Sequence, residues 1–117
     1  MTNGKQKGKR YEIHVAHRFR DEGYKDARRS QQYAGINNDA DVVGVPGIHI
    51  EAKAREAMSH SQLYDAIAQS KRDARADEIP IVIHKMNRCN DLVTMAFSDW
   101  ICLYREWEMS MRSEENE

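Results

Sequence analysis

The stretch N-D-A-D-V-V-G-V-P-G-I-H-I-E-A-K-A-R-E, residues 38–56, decides the fold. Val42, Val43, Val45, Ile48 and Ile50 are set about Pro46-Gly47, the pattern of two strands joined by a tight turn. Asp41, Glu51 and Lys53 place charge inside that pattern. Charge among branched apolar residues is costly unless it is paired or metal-bound, so these three become functional candidates. Glu51 and Lys53 are two apart and share one face of a strand. A two-residue Pro46-Gly47 loop would pair Val45 with Ile48 and set Asp41 across from Ala52, on the face away from Glu51. One extra residue in the turn, or a β-bulge, brings Asp41 across from Glu51. The expectation is such an adjustment, or an Asp41 lying just outside the ladder.

Outward from the hairpin, the chain divides into short elements. A helix is predicted over residues 9–22, closed by Gly23. Residues 25–32 read as a short strand or extended segment and 33–38 as a loop around Gly35. After the hairpin, Ser59 or Ser61 caps a helix to about residue 76 with Leu63, Ile67 and Ala74 on one stripe. Strands follow over 79–84 and 91–97, and Ser98 caps a last helix. Its stripe Trp100, Leu103, Tyr104 and Trp107 is expected to pack on the sheet, with a dimer contact as the sharper alternative. Residues 1–8 form a basic arm and 109–117 a frayed acidic tail on one domain of residues 1–117. The fold class is α/β, a central mixed sheet flanked by helices in the order α-β-β-β-α-β-β-α.

The 117 residues suffice for one modest core. No apolar run approaches the roughly 20 residues that span a bilayer. Cys89 and Cys102 lack metal-ligand spacing, so reduced thiols in a cytoplasmic protein are expected. The formal net charge is −1, which hides an uneven distribution: residues 1–29 hold nine Lys or Arg against four Asp or Glu. A local basic surface matters more to a phosphate polymer than the total.

In the first helix, 100° per residue from Tyr11 puts Val15, Phe19 and Ala16 on one apolar arc, and Glu12 falls inside it. A third carboxylate is thereby aimed at the body of the protein. Asp, Glu and Lys together suit metal-assisted attack on a phosphodiester. Hard carboxylate oxygens hold Mg²⁺ or Mn²⁺, and a lysine orients water or offsets charge in the transition state. The plainer reading of Glu51 and Lys53 is a same-face ion pair of little consequence. The apolar setting of Ile48, Ile50 and Ala52 argues against it.

Asp41, nine intervening residues and then Glu51-Ala-Lys53 resemble the Asp-(x)n-Glu-x-Lys signature of the PD-(D/E)xK nuclease superfamily. Gly8-Lys-Arg-Tyr-Glu12 opens a helix that ends in Glu22-Gly23-Tyr24, and a basic segment then leads to the acidic hairpin. That order is similar to the archaeal and phage Holliday-junction resolvases over roughly residues 8–107. Gln69-Ser-Lys-Arg-Asp73-Ala74 and Ile79-Pro-Ile-Val-Ile-His-Lys85 are similar to the small phage-type members. Ala40, not proline, precedes Asp41. The resemblance implies a restriction-endonuclease-like core with Glu12, Asp41 and Glu51 as Mg²⁺ carboxylates, Mn²⁺ as a possible substitute, and Lys53 as the catalytic lysine. Gln69 would stand near the site. It further implies cleavage of branched DNA in recombination, by a homodimer making two symmetric cuts. The alternatives are a superfamily nuclease acting on ends, flaps or a restriction site, and a DNA-binding module with a decayed site. No membrane and no small-molecule cofactor are expected.

Lys5, Lys7, Lys9, Arg10, Arg28, Arg29, Ser30, Lys85 and Arg88 are candidate phosphate contacts, with His84 extending that surface. His14 and His17 are expected to be exposed, and His49 shares the Glu51 face.

Overall fold

The computed structural model describes residues 4–30 and 40–115. The expected loop at 33–38 lies outside the described residues, as do the ends of the arm and the tail. The elements are α1 (Gly4–Asp21), β1 (Arg28–Arg29), β2 (Val42–Val43), β3 (Ile48–Arg55), α2 (His60–Asp73), β4 (Ile79–Met86), β5 (Leu92–Met95) and α3 (Phe97–Glu115). This is the α-β-β-β-α-β-β-α order read from the sequence. The strands form one sheet, β1-β2-β3-β4-β5, in which β3 and β4 run parallel and the other neighbours antiparallel. The class is α/β with a mixed sheet. The parallel pair is joined through α2, as a crossover requires.

Alternation along β3 gives the sheet two different faces. Ile50, Ala52 and Ala54 join Ile81, Ile83 and Val42 in a core with Tyr11, Val15 and Ala16 of α1, with Phe19 packed against it. This is the apolar arc expected of the first helix. The helix starts five residues before the expected position 9, so residues 4–8 of the expected arm are helical. At its other end, the Gly23 N–H donates to the Arg20 carbonyl and the Tyr24 N–H to that of Phe19. This is a Schellman closure, with Gly23 at φ 103° and the Phe19 and Tyr24 rings 6.0 Å apart over it.

The second face belongs to α2, which is capped by Ser59 in a reciprocal box with Gln62. Its buried residues are Ala66 and Ser70. The expected stripe of Leu63, Ile67 and Ala74 is displaced by one position, because the small residues allow close approach to the sheet. Ser70, fully buried, places its hydroxyl 3.1 Å from the His49 carbonyl and 3.2 Å from that of Ile81. It thereby ties α2 to both parallel strands.

The last helix corrects the expectation of a third covering layer. No residue of α3 is buried, and Trp100, Leu103, Tyr104 and Trp107 face solvent. Both faces of the sheet's centre are already taken by α1 and α2. The helix also continues past Met109, where fraying was expected, to Glu115.

Between β2 and β3, Gly44 sits at φ 88°, and a Cβ built there would lie 2.0 Å from the Asp26 carbonyl oxygen. Gly23 also has positive φ but stands in open space. Gly44→Ala is expected to lower stability by about 2–4 kcal/mol, since strain and a backbone clash add. Gly23→Ala should cost about 1 kcal/mol. Urea midpoints of the two variants check the order; equal losses would contradict it.

Candidate active site

Asp41 is held by its backbone more than by its strand. Val42 pairs with Ile50, and the Asp41 N–H also reaches the Ile50 carbonyl at 2.8 Å. Two residues therefore address one, the arrangement of a β-bulge. A two-residue turn would have paired Val42 with Glu51, so the register is shifted by one residue, a shift that arises on the turn side of Val42. Asp41 stands just outside the ladder, beside Glu51. Its carbonyl accepts the Ser30 N–H at 2.9 Å, and its Oδ2 accepts the Ala52 N–H at 2.9 Å. The carboxylate is fixed in place with its other oxygen uncommitted by this bond.

Glu51 lies on the α2 face of β3 and is only 2 % exposed. Burial pushes its carboxyl up to about 8. Asp41 adds charge repulsion and a hydrogen bond to the protonated form, while Lys53 pulls in the opposite direction. Glu12, half-buried on α1, is also raised, first by burial and then by Asp41, against the pull of Arg29 and Lys53. Arg29 Nε donates to Glu12 Oε2 at 3.1 Å. Asp41 and Lys53 thus act on both Glu12 and Glu51, the four residues coming from α1, β3 and the bulge.

Lys53 lines a cavity of about 200 Å³ with Gln69, Gln62 and Asp65 between β3 and α2. Gln69 therefore shares a cavity wall with the lysine, half-buried at the rim of its helix.

His49, on the Glu51 face as expected, is as buried as Glu51 and stands behind it. Its Nε2 is 3.2 Å from Glu51 Oε1, and its Nδ1 is 3.8 Å from Glu78. Asp73, the last residue of α2, joins them: ligand atoms of His49, Glu51 and Asp73 lie within 4.8 Å of one another. Among the described residues this is the one group of His, Cys, Asp and Glu atoms so close. Sequence reasoning did not single out Asp73 as a site residue. The signal was its spacing, since Ala66, Ser70 and Asp73 fall at i, i+4 and i+7 on the buried stripe.

Of the basic candidates, Lys7, Arg10, Lys85 and Arg88 line one cavity of about 510 Å³ between α1 and the β4–β5 turn. Asn87 in the same wall accepts from Lys7 Nζ at 2.8 Å. Lys5, Lys9 and Arg28 are exposed. Arg29 is spent on Glu12, and Ser30 is buried with its N–H on Asp41, so both support the site from within. His84 is a correction to the expected surface. It is buried in the middle of the sheet, 2.8 Å from Thr94 Oγ1, and burial lowers its pKa. His14 and His17 are exposed as expected, and His14 lies 3.4 Å from Asp91.

A bulge-held aspartate, a buried Glu-x-Lys strand and a helix glutamate on a mixed α/β sheet match the pattern expected of the PD-(D/E)xK class. A family model described as "Phage putative PDDEXK endonuclease" matches residues 3–115. The chain belongs to that family, which makes it a nuclease by class. No curated protein and no solved structure matches it. Among the described residues, no helix is long and apolar enough to cross a membrane.

The raised Glu51 carboxyl has a sign that can be tested without substrate. Its contribution to stability is full below the ordinary value near 4.5 and is lost as pH rises through about 8. With divalent ions chelated, Glu51→Gln is expected to stabilise the protein at pH above 8 by about 1–3 kcal/mol and to change little at pH 5. Thermal melts at the two pH values read this. A variant equally destabilised at both would contradict the assignment of repulsion to Glu51.

Proposed function

We propose that the chain is a metal-dependent endodeoxyribonuclease that hydrolyses phosphodiesters in branched DNA, four-way junctions in particular, as a homodimer. The observation that carries this reading is the shifted register, which sets Asp41 beside Glu51 with Glu12 and Lys53 in electrostatic reach. The donor set suits a hard cation. All three carboxylates offer oxygen, and their mutual repulsion is the kind that a bound dication relieves. When bound, Mg²⁺, or Mn²⁺ in its place, neutralises phosphate charge and makes a coordinated water more acidic.

The chain's own residues do the rest. Asp41 and Glu51 supply ligand oxygens, the first locked by the Ala52 N–H and the second backed by His49. Glu12, oriented by Arg29, completes the acidic set. Lys53 donates to the attacking water or to the phosphate, offsetting negative charge as it builds in the transition state. Gln69 reaches the same cavity and steadies that water. Lys7, Arg10, Lys85 and Arg88 seat backbone phosphates, which positions DNA without reading its sequence. Two symmetric cuts in a junction require two copies of a single-site chain, hence the dimer.

The test is cleavage of labelled four-way junctions, flaps and linear duplex with Mg²⁺ by wild type, Glu51→Ala and Lys53→Ala. Wild type should cut junctions fastest, and each substitution should slow cleavage by about 10²-fold or more. Equal cutting by all three proteins removes the mechanism. Duplex cut as fast as junctions removes the branched substrate and leaves a nuclease of other specificity.

A further inference from the structure

Helix α3 is the largest feature that the nuclease site leaves unused. Its 19 residues bury none of their side chains. Phe97, Trp100, Tyr104 and Trp107 form a ladder along it, with successive ring centroids 6.4, 5.3 and 5.8 Å apart. Their exposures are 74, 48, 46 and 58 %. At 100° per residue, Ile101, Leu103 and Met111 fall on the same side, so between Phe97 and Met111 the apolar residues make one face, entered only by Glu108 beside Phe97 and Ile101, which is paired with Arg112. At roughly 150–250 Å² for a whole aromatic side chain, about half exposed, this face offers on the order of 700 Å². Monomers seldom expose that much contiguous apolar surface, and a standard interface takes about 800 Å² from each partner.

Charge decides which kind of partner fits. Along α3, Arg105 and Arg112 stand against Asp99, Glu106, Glu108, Glu114 and Glu115. A net negative helix repels both a phosphate polymer and an anionic bilayer. Spacing points to the particular partner. Phe97, Ile101, Tyr104, Trp107 and Met111 follow one another at intervals of 4, 3, 3 and 4, a sequence of steps that reads the same from either end. Such a stripe is complementary to itself when a second helix is laid antiparallel with Tyr104 at the centre. Phe97 then meets the second copy's Met111, Ile101 its Trp107, and Tyr104 its own counterpart. This is the isologous geometry of a two-fold interface. Antiparallel helices also align their dipoles head to tail. Glu114 and Glu115, at the unfavourable end of their own helix, come near the other copy's N-terminal end.

We propose that the aromatic face of α3 is a self-association surface that takes a second copy of this chain, antiparallel about Tyr104. The use of that dimer for paired cuts rests on the nuclease reading; the association itself does not, and the experiment reads association alone. Trp100 and Trp107 are the chain's two tryptophans, so fluorescence excited selectively in tryptophan reports this helix.

Sedimentation equilibrium of the full chain, without DNA or metal, should give a dimer at micromolar concentration, with the tryptophan emission blue-shifting as it forms. Tyr104→Glu brings two carboxylates together on the axis and should weaken association by about 100-fold. Met109→Glu, on the other side of the helix, should leave it unchanged. Because α3 buries nothing in the core, both variants should keep the wild-type circular dichroism. In a Cys89→Ser, Cys102→Ser background, Tyr104→Cys should form an interchain disulfide under mild oxidation and Met109→Cys should not. A wild type that stays monomeric overturns the proposal, as does a Tyr104→Glu dimer as tight as wild type. So does a monomer whose tryptophan emission shifts only with single-stranded oligonucleotide or anionic vesicles. Cross-linking through Met109→Cys but not Tyr104→Cys overturns the antiparallel register.

Discussion

The carbonyl of Ile50 faces both Asp41 and Val42, and the rest of the site depends on that two-against-one contact. A regular two-residue hairpin would send Asp41 to the face away from Glu51. With the bulge, the aspartate leaves the ladder and is caught at three points. Its N–H is on Ile50, its carbonyl on Ser30 and its Oδ2 on Ala52. The neighbouring backbone has to allow this. Gly44, at positive φ and against the Asp26 carbonyl, is the position where no side chain fits. These contacts of one short strand thus couple the turn, the first strand and the face that carries Glu51 and Lys53.

What the bulge brings together is unfavourable in the protein alone. Glu51 is buried beside Asp41, with Asp73 adding to the repulsion and Lys53 opposing it. Glu12 is raised by its own burial and then by Asp41, against Arg29 and Lys53. A fold selected for stability alone would separate these groups, and their convergence is what the proposed cation site requires. His49 and Ser70 supply the rigidity. One leans on the glutamate and the other clamps its strand to α2, so the carboxylate has little freedom to turn away.

Much of this was legible before any coordinates. Alternation about Pro46-Gly47 identified the hairpin, and the i, i+2 spacing of Glu51 and Lys53 placed them on one face. The arc of Tyr11, Val15 and Ala16 located the buried side of α1. These signals are periodic, and periodicity survives into the fold. The register of β2 was narrower, since a bulge is a choice of one carbonyl that no pattern encodes. The inward side of α2 was misread by one position, because Ala66 and Ser70 are small and polar whereas Leu63 and Ile67 look like core. That misreading also hid Asp73. For α3, an amphipathic stripe implied burial against the sheet, and the structure shows none, because α1 and α2 already cover the sheet's centre.

The central claim, that of the proposed function, is that Asp41 and Glu51 form one cation site because of the shifted register. Equilibrium Mn²⁺ binding, followed by loss of the free-ion electron paramagnetic resonance signal, tests it in wild type and Asp41→Asn without any DNA. The account predicts that Asp41→Asn weakens binding by at least about tenfold while the melt in chelator is unchanged or improved. Equal Mn²⁺ affinity in the two proteins would contradict it.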